Sequence, residues 1–549
     1  MYKRQIIDSI HYSIDARWEP EIKIPNSELV LDDKDLEYRI YKLSKPMNPG
    51  DEIRIEINTQ YISRGFENEM GNTRIVNNGT FLNEARIMPL LGYQYRNEIS
   101  DKNTRKEYGL KPRIGIPELE SEVSKDRMKN IQTNGSADFI SIEAIVSTAG
   151  DQIAIAPGSL LKKWVENGRN YYHYKVDHPS QHFYAFNSAK YEVKARKWNG
   201  IDLEVYYDKK HPQNVTMMLD AMERSLDYYT KNFGPYMHKQ CRIIEFPRYS
   251  NFAQAFPGTM PYSEGVGFIL NLEDTEGNNF VDAIIAHEMA HQWWGHQVLG
   301  AKMQGNTMLT ESFSEYSSLM TMKSIVKTPM KMREFLKYNH DRYLSGRSND
   351  SDKELPLYKV ENKMHLHYGK GSVVLYALQD YIGEDKMNAA MRNFLEEFRY
   401  RKPPYPTTLD FMKQLEPQVP DSLKYIINDW FKEITLYDNR LKNASYEKLE
   451  NGKYQITMDI EAKKLVADSI GNETPMQLND WIDVGAFADS AEEQLLFVKR
   501  VKIDSSEMTL NFEIDSIPAK LAIDPYHLLI DRVYEDNIKT AIETMPNNK

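Results

Sequence analysis

Cysteine is almost absent from this chain of 549 residues, since Cys241 is the only one. An intrachain disulfide is therefore impossible, and this excludes a small scaffold held together by disulfides. Cys241 stands in the apolar-flanked stretch Cys241-Arg242-Ile243-Ile244-Glu245-Phe246. We interpret it as a buried small hydrophobic residue rather than a nucleophile, because the sequence indicates no catalytic partner for it.

Long apolar runs and an excess of basic charge are missing as well. No uncharged apolar stretch reaches the roughly 18 residues that a transmembrane helix needs, and the N-terminus has no apolar run of signal-peptide length. The chain carries 69 basic and 80 acidic residues, a formal net charge of −11, which argues against a nucleic-acid-binding surface. We expect a soluble globular chain without nucleic-acid partners, and its start within strand-like sequence is typical of a segment of a longer protein.

Strand-like sequence lies at both ends of the chain and helix-like sequence in its middle. Period-two alternation predicts strands over 53–57, 139–146, 201–205, 454–460 and 508–514. Apolar residues at helical spacing predict helices over 214–233, 281–294, 310–327, 370–382, 385–398, 408–415 and 422–431. The stretch 96–129 is polar and is interpreted as a long excursion. This order predicts three domains over 1–206, 207–438 and 439–549, a number that fits the length.

The predicted helix over 281–294 contains the pattern H-E-x-x-H, formed by His287, Glu288 and His291. Residues four apart lie on one face of a helix, so both imidazoles can point at a single metal ion. Zinc accepts histidine nitrogen ligands at about 2.0–2.1 Å. Glu288 lies beside that face, in the position of a base that acts on water. The pattern therefore predicts a zinc site with His287 and His291 as two of its ligands.

A third ligand is expected from the next predicted helix, because a catalytic zinc usually has three protein ligands and one open position. That helix begins with Thr310-Glu311-Ser312-Phe313-Ser314-Glu315. We interpret Thr310 as its N-cap, which places Glu311 in the first turn. Glu315 lies four residues further on and shares that face, so two carboxylates compete for the third position. His296 is rotated to the far side of the first helix and is interpreted as structural.

These residues resemble the aminopeptidase N family of gluzincin zinc metallopeptidases. The matching motifs are the zinc helix His287-Glu288-Met289-Ala290-His291-Gln292-Trp293-Trp294-Gly295, the third-ligand segment Leu309-Thr310-Glu311-Ser312 with Tyr316, and the Y-x-K-G segment Tyr368-Gly369-Lys370-Gly371. Weaker matches at the two ends are Ala85-Arg86 with Pro89, and Asp524-Pro525-Tyr526 with Asp531. The resemblance implies that Glu311 is the third ligand, that Glu288 is the general base, and that the Tyr368 hydroxyl stabilises the oxyanion of the tetrahedral intermediate.

The same resemblance implies a fold and a cofactor. The expected fold class is multidomain α+β, with a saddle-like N-terminal β-sheet domain, a thermolysin-like mixed α/β catalytic domain and a C-terminal β-sandwich. One Zn²⁺ per chain is expected, and the expected partners are peptide substrates.

Two features of the sequence depart from the family. Residues 292 to 310, which separate His291 from Glu311, number 19, one more than is usual in the family. A connecting loop can absorb that residue without moving either helix.

The second departure concerns substrate binding. The family's G-x-M-E-N segment holds the substrate's free amine through its glutamate. Its counterpart here is Gly258-Thr259-Met260-Pro261-Tyr262-Ser263-Glu264, with Pro261 at the glutamate position. We expect Gly258, Met260 and Glu264 to bind the substrate, with Glu264 replacing the missing carboxylate.

The sequence thus predicts a zinc metallopeptidase that removes N-terminal residues from peptides. Two alternatives stay open. The missing glutamate favours a zinc endopeptidase, and loss of Glu288 or Tyr368 would have favoured a non-catalytic peptide-binding module of a membrane-associated assembly. The variant segment and the longer spacing resemble a bacterial branch in which the peptidase region is joined to membrane spans like those of ABC-transporter permeases. The sequence given contains no such spans, and it does not indicate the compartment.

Overall fold

The computed structural model describes residues 6–18, 20–63, 74–76, 78–94, 98–113, 115–120, 139–248, 250–272, 280–326 and 328–544. Contacts within the chain define two compact units. One consists of Met1–Asp274, His291–Met303 and Leu395–Thr407, and the other of Thr275–Ala290, Gln304–Phe394 and Thr408–Lys549. The three-domain division at residues 206 and 438 stays a prediction.

Twelve of the described strands precede residue 190 and form small antiparallel sheets. These strands are β1 Ile7–Ser13, β2 Glu21–Lys23, β3 Ser27–Asp33, β4 Tyr38–Met47, β5 Glu56–Asn58, β6 Thr80–Asn83, β7 Leu90–Leu91, β8 Glu143–Ala149, β9 Ile153–Ile155, β10 Ser159–Glu166, β11 Arg169–Lys175 and β12 Ala185–Ala189. The sheet orders are β3-β4-β1-β7, β10-β11-β8, β6-β12-β9 and β2-β5. Two short helices, α1 (Glu84–Ile87) and α2 (Lys102–Glu107), and the 3-10 turn Ala16–Trp18 accompany them. The N-terminal region is therefore mainly β-sheet, as predicted.

A four-stranded sheet follows, in the order β13-β14-β15-β16, with bounds Tyr191–Trp198, Ile201–Asp208, Gln240–Phe246 and Thr259–Ser263. β13 and β14 are antiparallel, whereas β14, β15 and β16 are mutually parallel. Every residue of β15 is buried, as expected for a strand in the interior of a covered parallel sheet. Cys241 lies in this strand with no exposed surface, which confirms its interpretation as a buried residue. Helix α3 (Val215–Asn232) packs against β13 and β14 with a buried apolar face.

Helices dominate residues 280–432. They are α4 Phe280–Ala290, α5 Phe313–Val326, α6 Pro329–Asn349, α7 Gly371–Ile382, α8 Glu384–Phe398 and α9 Thr408–Leu415. Three π-helical segments lie among them, at Met308–Ser312, His365–Lys370 and Ile427–Lys432. Short 3-10 turns occupy Glu264–Val266, Leu357–Lys359, Glu416–Gln418 and Asp421–Leu423. Single π turns often occur at functional sites, and two of these segments carry predicted site residues.

The C-terminal region consists of two mainly antiparallel sheets. Its strands are β17 Ile434–Lys448, β18 Tyr454–Ala467, β19 Glu473–Met476, β20 Asp480–Phe487, β21 Leu495–Ile503, β22 Glu507–Ile514, β23 Lys520–Ile523, β24 Ile538–Thr540 and β25 Ile542–Glu543, with a 3-10 turn at Tyr534–Asn537. One sheet has the order β19-β18-β17-β25 with β22 also paired to β18, and the other has the order β21-β20-β23-β24. Burial alternates along β18, so one face of this strand is buried and the other is half-buried. The predicted multidomain α+β fold class is confirmed.

Several element boundaries differ from the predictions. The predicted strand over 53–57 is reduced to β5, because its partner β2 offers only the three residues Glu21–Lys23 for pairing. The predicted strand over 139–146 begins only at Glu143, after an isolated bridge between Ile140 and Ser180. The predicted helix over 422–431 is a 3-10 turn followed by a π turn, and α2 interrupts the polar excursion at 96–129, much of which lies outside the described residues. Among the described helices, none is long and apolar enough to cross a membrane.

Candidate active site

Helix α4 carries the first part of the predicted metal site. Val281, Ile285 and Met289 recur at helical spacing and are at most 2% exposed, so this face is held in the interior. The helix ends at Ala290, which places His291 in the turn that follows directly. The predicted extension of the helix to 294 is wrong. Residues 291–293 form a turn instead, and this turn leads to Gly295, whose φ of 114° lies outside the range of a right-handed helix.

Three predicted ligands lie together. One ligand atom each from His287, His291 and Glu311 are all within 4.8 Å of one another. Nε2 of His287 is 3.5 Å from Oε2 of Glu311. The early end of the helix therefore does not separate the two histidines, because His291 still lies one turn beyond His287.

The second nitrogen of each imidazole is held by an acceptor. Nδ1 of His287 lies 2.8 Å from Oε2 of Glu315, and Nδ1 of His291 lies 3.0 Å from the carbonyl oxygen of Trp294. An acceptor at Nδ1 keeps the proton on that nitrogen and leaves the Nε2 lone pair available for a metal. Glu315 therefore orients His287, so the two carboxylates that compete in the sequence take different positions in the structure.

The donor set fits a zinc ion. Two imidazole nitrogens and one carboxylate oxygen are ligands of the kind that zinc takes in catalytic sites, where a fourth position stays open. Burial lowers the pKa of His287, but its contacts with the carboxylates of Glu311 and Glu315 raise the pKa to about 10. This effect shows how strongly the surrounding carboxylates favour positive charge at the imidazole, and a metal cation supplies such charge.

Glu311 lies in the π-helical segment Met308–Ser312, which continues directly into α5. The interpretation of Thr310 as an N-cap is wrong, because the turn begins two residues earlier and Thr310 is inside it. The Thr310 hydroxyl instead donates to the carbonyl oxygen of Thr307 at 3.4 Å. Met308, Leu309 and Ser312 are buried, and they anchor the turn that presents Glu311.

Glu288 and Tyr368 lie beside the ligands. Glu288 is only 8% exposed, and the ring centroid of Tyr368 is 5.5 Å from that of His287. Burial raises the pKa of Tyr368. The negative charge of Glu311, which accepts a hydrogen bond from the Tyr368 hydroxyl, raises this pKa further, and so does the charge of Glu288. The Tyr368 hydroxyl thus stays protonated and can donate a hydrogen bond at neutral pH.

Tight packing fixes the position of Tyr368. A Cβ atom at Gly371 would lie 2.2 Å from the Ser312 hydroxyl oxygen, so only glycine permits the close approach of the two π turns. The neighbouring Lys370 is 1% exposed, and its ammonium group lies 3.4 Å from a carboxylate oxygen of Glu354. The K-G part of the Y-x-K-G pattern is therefore explained by a buried ion pair and a close helix contact, both of which hold the turn that carries Tyr368.

Known proteins match the segment that contains this site. Residues 217–430 match the peptidase family M1 domain. This segment therefore resembles an M1 peptidase domain, and it is called the M1 domain below. The match confirms the resemblance to the aminopeptidase N family, and the segment contains His287, Glu288, His291, Glu311 and Tyr368.

Two curated relatives of the M1 domain carry the name aminopeptidase. Probable aminopeptidase 1 of Sulfurisphaera tokodaii is 26% identical over 194 residues, which cover 33% of this chain and 24% of that protein. Endoplasmic reticulum aminopeptidase 2 of Homo sapiens is 26% identical over 210 residues, which cover 37% of this chain and 22% of that protein. The matched part of the chain thus spans about a quarter of the length of these relatives.

A solved structure supports the fold over nearly the whole chain. Legionella pneumophila aminopeptidase A, crystallised in complex with aspartic acid, superimposes with a TM-score of 0.58. The alignment covers 96% of this chain and 55% of that chain at 13% identity. The fold therefore extends beyond the M1 domain to both β-rich ends.

The predicted substrate-binding residues of the M1 domain lie on and beside β16. Gly258 directly precedes this strand, and its backbone N–H donates to the side-chain oxygen of Gln292 at 2.8 Å. Met260 is fully buried within the strand. Glu264 follows the strand in a 3-10 turn, and one ligand atom each from Glu264, His211 and Glu245 lie within 4.8 Å of one another. The His211 and Glu245 side chains are already joined by a hydrogen bond of 2.5 Å, so we interpret this second group as a hydrogen-bonded cluster. The role of Glu264 in amine binding stays a prediction.

Two supporting residues of the M1 domain were missed in the sequence. Glu354 pairs with Lys370, and the backbone oxygen of Trp294 fixes His291. Glu354 gave no signal because it lies 16 residues from its partner in irregular sequence, and a backbone acceptor carries no side-chain signal at all. The contact of Glu354 depends on tertiary packing, whereas that of Trp294 depends on the local turn that follows α4.

His296 is buried and structural, as its position in the sequence predicted. Its Nε2 lies 3.1 Å from the carbonyl oxygen of Ala255, and its Nδ1 lies 3.2 Å from the side-chain nitrogen of Gln181. Nδ1 therefore accepts and Nε2 donates, which is the pattern of a neutral ring. Burial lowers the pKa of His296 to about 3.

A pH dependence of stability follows from this neutral histidine. Its folded-state pKa lies below its unfolded-state value, so the unfolded chain binds a proton that the folded chain does not, and stability falls as the pH drops below about 6.5. Between pH 7 and pH 5 this one group costs about 2 kcal/mol. Glutamine at position 296 can keep both hydrogen bonds but does not titrate. We therefore expect the stability of His296→Gln to fall by about 2 kcal/mol less than that of the wild type between pH 7 and pH 5, as measured by denaturant unfolding. An unchanged difference between pH 7 and pH 5 in the variant would contradict a neutral His296.

Proposed function

We propose that this chain is a zinc-dependent aminopeptidase, which hydrolyses N-terminal residues from peptides. The observation that carries the proposal is the ligand cluster of His287, His291 and Glu311 within 4.8 Å, with Glu288 and Tyr368 beside it. The M1 domain and the names of its relatives support the same conclusion. The link to a permease-like membrane region stays a prediction.

The side chains divide the chemistry of peptide hydrolysis among them. Zinc, when bound, lowers the pKa of water and polarises the scissile carbonyl group. Glu288 accepts a proton from the attacking water and delivers it to the leaving amine. The Tyr368 hydroxyl donates a hydrogen bond to the oxygen that gains negative charge as the carbonyl carbon becomes tetrahedral. Glu315 holds the His287 ring so that this arrangement is set before the substrate arrives.

Removal of the Tyr368 hydroxyl tests its role as a donor. We expect Tyr368→Phe to lower kcat by roughly a hundredfold to a thousandfold, the usual loss for one oxyanion donor, with little change in KM and in zinc content. Steady-state kinetics with a chromogenic aminoacyl substrate measures both constants. Tyr338→Phe is the matched control, because Tyr338 is 52% exposed on α6. An unchanged kcat in Tyr368→Phe would remove the tyrosine from the mechanism.

The requirement for a free amine separates an aminopeptidase from an endopeptidase. Pro261 stands where the family has its amine-binding glutamate, and this observation favours the endopeptidase as the second candidate. We propose that Glu264 supplies the carboxylate that binds the free amine. Gly258 and Met260, at the start of β16, are proposed to shape the place where the substrate binds. A panel of peptides with free and N-acetylated termini, assayed with and without a chelator, tests this point. Preferential cleavage of the free peptides supports an aminopeptidase, and equal cleavage of both forms indicates an endopeptidase.

The non-catalytic alternative makes a different prediction in the same panel. A binding module of this fold would have no need for Glu288 or Tyr368, and both are present beside the ligand cluster. Binding of the peptides without chelator-sensitive cleavage of any of them would favour the module over the enzyme.

A further inference from the structure

Arg342 lies against the face of the tyrosine in the candidate active site. It is half-buried on α6, and its guanidinium carbon is 4.5 Å from the centroid of the Tyr368 ring. The His287 and His367 rings also lie close to the Tyr368 ring, with centroid distances of 5.5 Å and 4.3 Å. The phenol is therefore enclosed by three side chains, and one of them carries a permanent positive charge.

Arg342 differs from two other arginines of the same helix. Arg333 pairs with Glu492 at 2.8 Å, and Arg347 pairs with Glu354 at 2.7 Å. Within the part of the chain that the structure describes, Arg342 forms no ion pair; its guanidinium lies against the Tyr368 ring, and its charge also acts on the nearby Glu315. Arg333 and Arg347 are thus explained by structural ion pairs, whereas the position of Arg342 is explained by the tyrosine.

The backbone around Arg342 is held at a fixed distance from the turn that carries Tyr368. A Cβ atom at Gly346 would lie 2.2 Å from Cβ of His365, and one at Gly369 would lie 3.0 Å from the backbone nitrogen of Tyr343. Glycine at these two positions allows α6 and the turn His365–Lys370 to approach each other closely. This packing fixes the backbone of Arg342 at a short distance from the backbone of Tyr368, within reach of the Arg342 side chain.

We propose that Arg342 is a positioning residue for Tyr368, an inference that rests on the proposed function. A cation over an aromatic ring is attracted to the electron density of the ring face. This attraction fixes the plane of the phenol, and it draws electron density from the hydroxyl group, which makes the hydroxyl a stronger donor. Arg342 thus supports the transition state through Tyr368 without contacting the substrate.

A double-mutant cycle tests whether Arg342 acts through the tyrosine. We expect Arg342→Met to lower kcat by roughly 5- to 30-fold with less than a twofold change in KM, as a cation–ring contact of ordinary strength allows. In the Tyr368→Phe background, which lacks the hydroxyl, the same substitution is expected to change kcat by less than twofold. Arg342→Lys, which keeps a cation over the ring, is expected to retain at least a third of the wild-type kcat. Lys331→Met removes one exposed positive charge from the same helix and is expected to have no effect.

Three kinetic outcomes would overturn the proposal. The first is an equal loss of kcat from Arg342→Met in the wild-type and Tyr368→Phe backgrounds. The second is a rise in KM that disappears with C-terminally amidated peptides, because it would show that Arg342 binds the substrate's carboxylate. The third is an Arg342→Lys variant as slow as Arg342→Met.

A spectroscopic measurement tests the contact without turnover. We expect 3-fluorotyrosine at position 368 to give a ¹⁹F resonance that shifts in Arg342→Met and not in Lys331→Met, with an unchanged thermal midpoint in both variants. An unshifted resonance would overturn the contact. A shifted resonance in a protein that cleaves no peptide would contradict the proposed function while supporting the contact, so the two failures are distinguishable.

Discussion

Glu288→Gln is expected to lower kcat by roughly a hundredfold to ten-thousandfold while the metal stays bound. The variant keeps the size and the hydrogen-bonding capacity of the side chain, but an amide cannot accept the proton of the attacking water. Glu288 is adjacent in sequence to the ligand His287 and is not itself a member of the ligand cluster. The loss is therefore expected in kcat rather than in metal content, and steady-state kinetics with metal analysis of the same sample measures both.

A matched control separates the base from a general effect of lost charge. Glu334→Gln removes the same charge from an exposed position on α6 and is expected to leave kcat unchanged. Near wild-type turnover by Glu288→Gln would show that another group activates the water.

Glu311→Ala is expected to reduce both bound zinc and activity, each to a few per cent of wild type or less. Removal of one of three protein ligands leaves only two imidazoles, a set too small for a stable catalytic zinc site. Zinc per chain after dialysis against a weak chelator measures the first effect, and kcat/KM measures the second. Glu315→Gln is the informative comparison, because Glu315 contacts His287 at Nδ1 and lies outside the ligand cluster.

Loss of the Glu311 carboxylate and loss of the Glu315 carboxylate are expected to affect zinc binding to different extents. Loss of a carboxylate that orients a metal-bound histidine typically costs 10- to 100-fold in metal affinity, so Glu315→Gln should still load fully when zinc is in excess. If Glu311→Ala bound zinc fully and Glu315→Gln lost it, Glu315 would be the ligand and Glu311 the residue that orients the histidine.

The ligands could be predicted from the sequence because their spacing is local. His287 and His291 are four residues apart, and the turn of a helix brings such residues together whatever surrounds them. Glu311 and Glu315 could not be separated by that reasoning alone, since both lie on one face of the next helix. The structure separates them through the ring nitrogen that each approaches, which depends on the position of α5 beside α4.

The contacts that hold Tyr368 could not be predicted, because each joins distant parts of the chain. Lys370 pairs with Glu354, Gly371 meets Ser312, and Arg342 covers the ring from α6. The two members of each pair belong to different structural elements, so the periodicity of a helix or strand gives no information about their contact.

The fold shows the same division between local and tertiary signals. Strands with strict alternation, such as 454–460 and 508–514, were found because one face of each strand is more deeply buried than the other. The strand predicted over 53–57 has the same alternation, yet only Glu56–Asn58 is paired, because its partner strand is short. Helix boundaries differ from the predictions where a π turn begins at Met308 and where α4 already ends at Ala290.

Anomalous diffraction at the zinc absorption edge, from crystals of the purified protein, tests the central claim most directly. The account predicts one strong peak per chain, at bonding distance from Nε2 of His287, Nε2 of His291 and a carboxylate oxygen of Glu311. A peak held by other side chains, or crystals grown with zinc that show no peak beside these three residues, would contradict it.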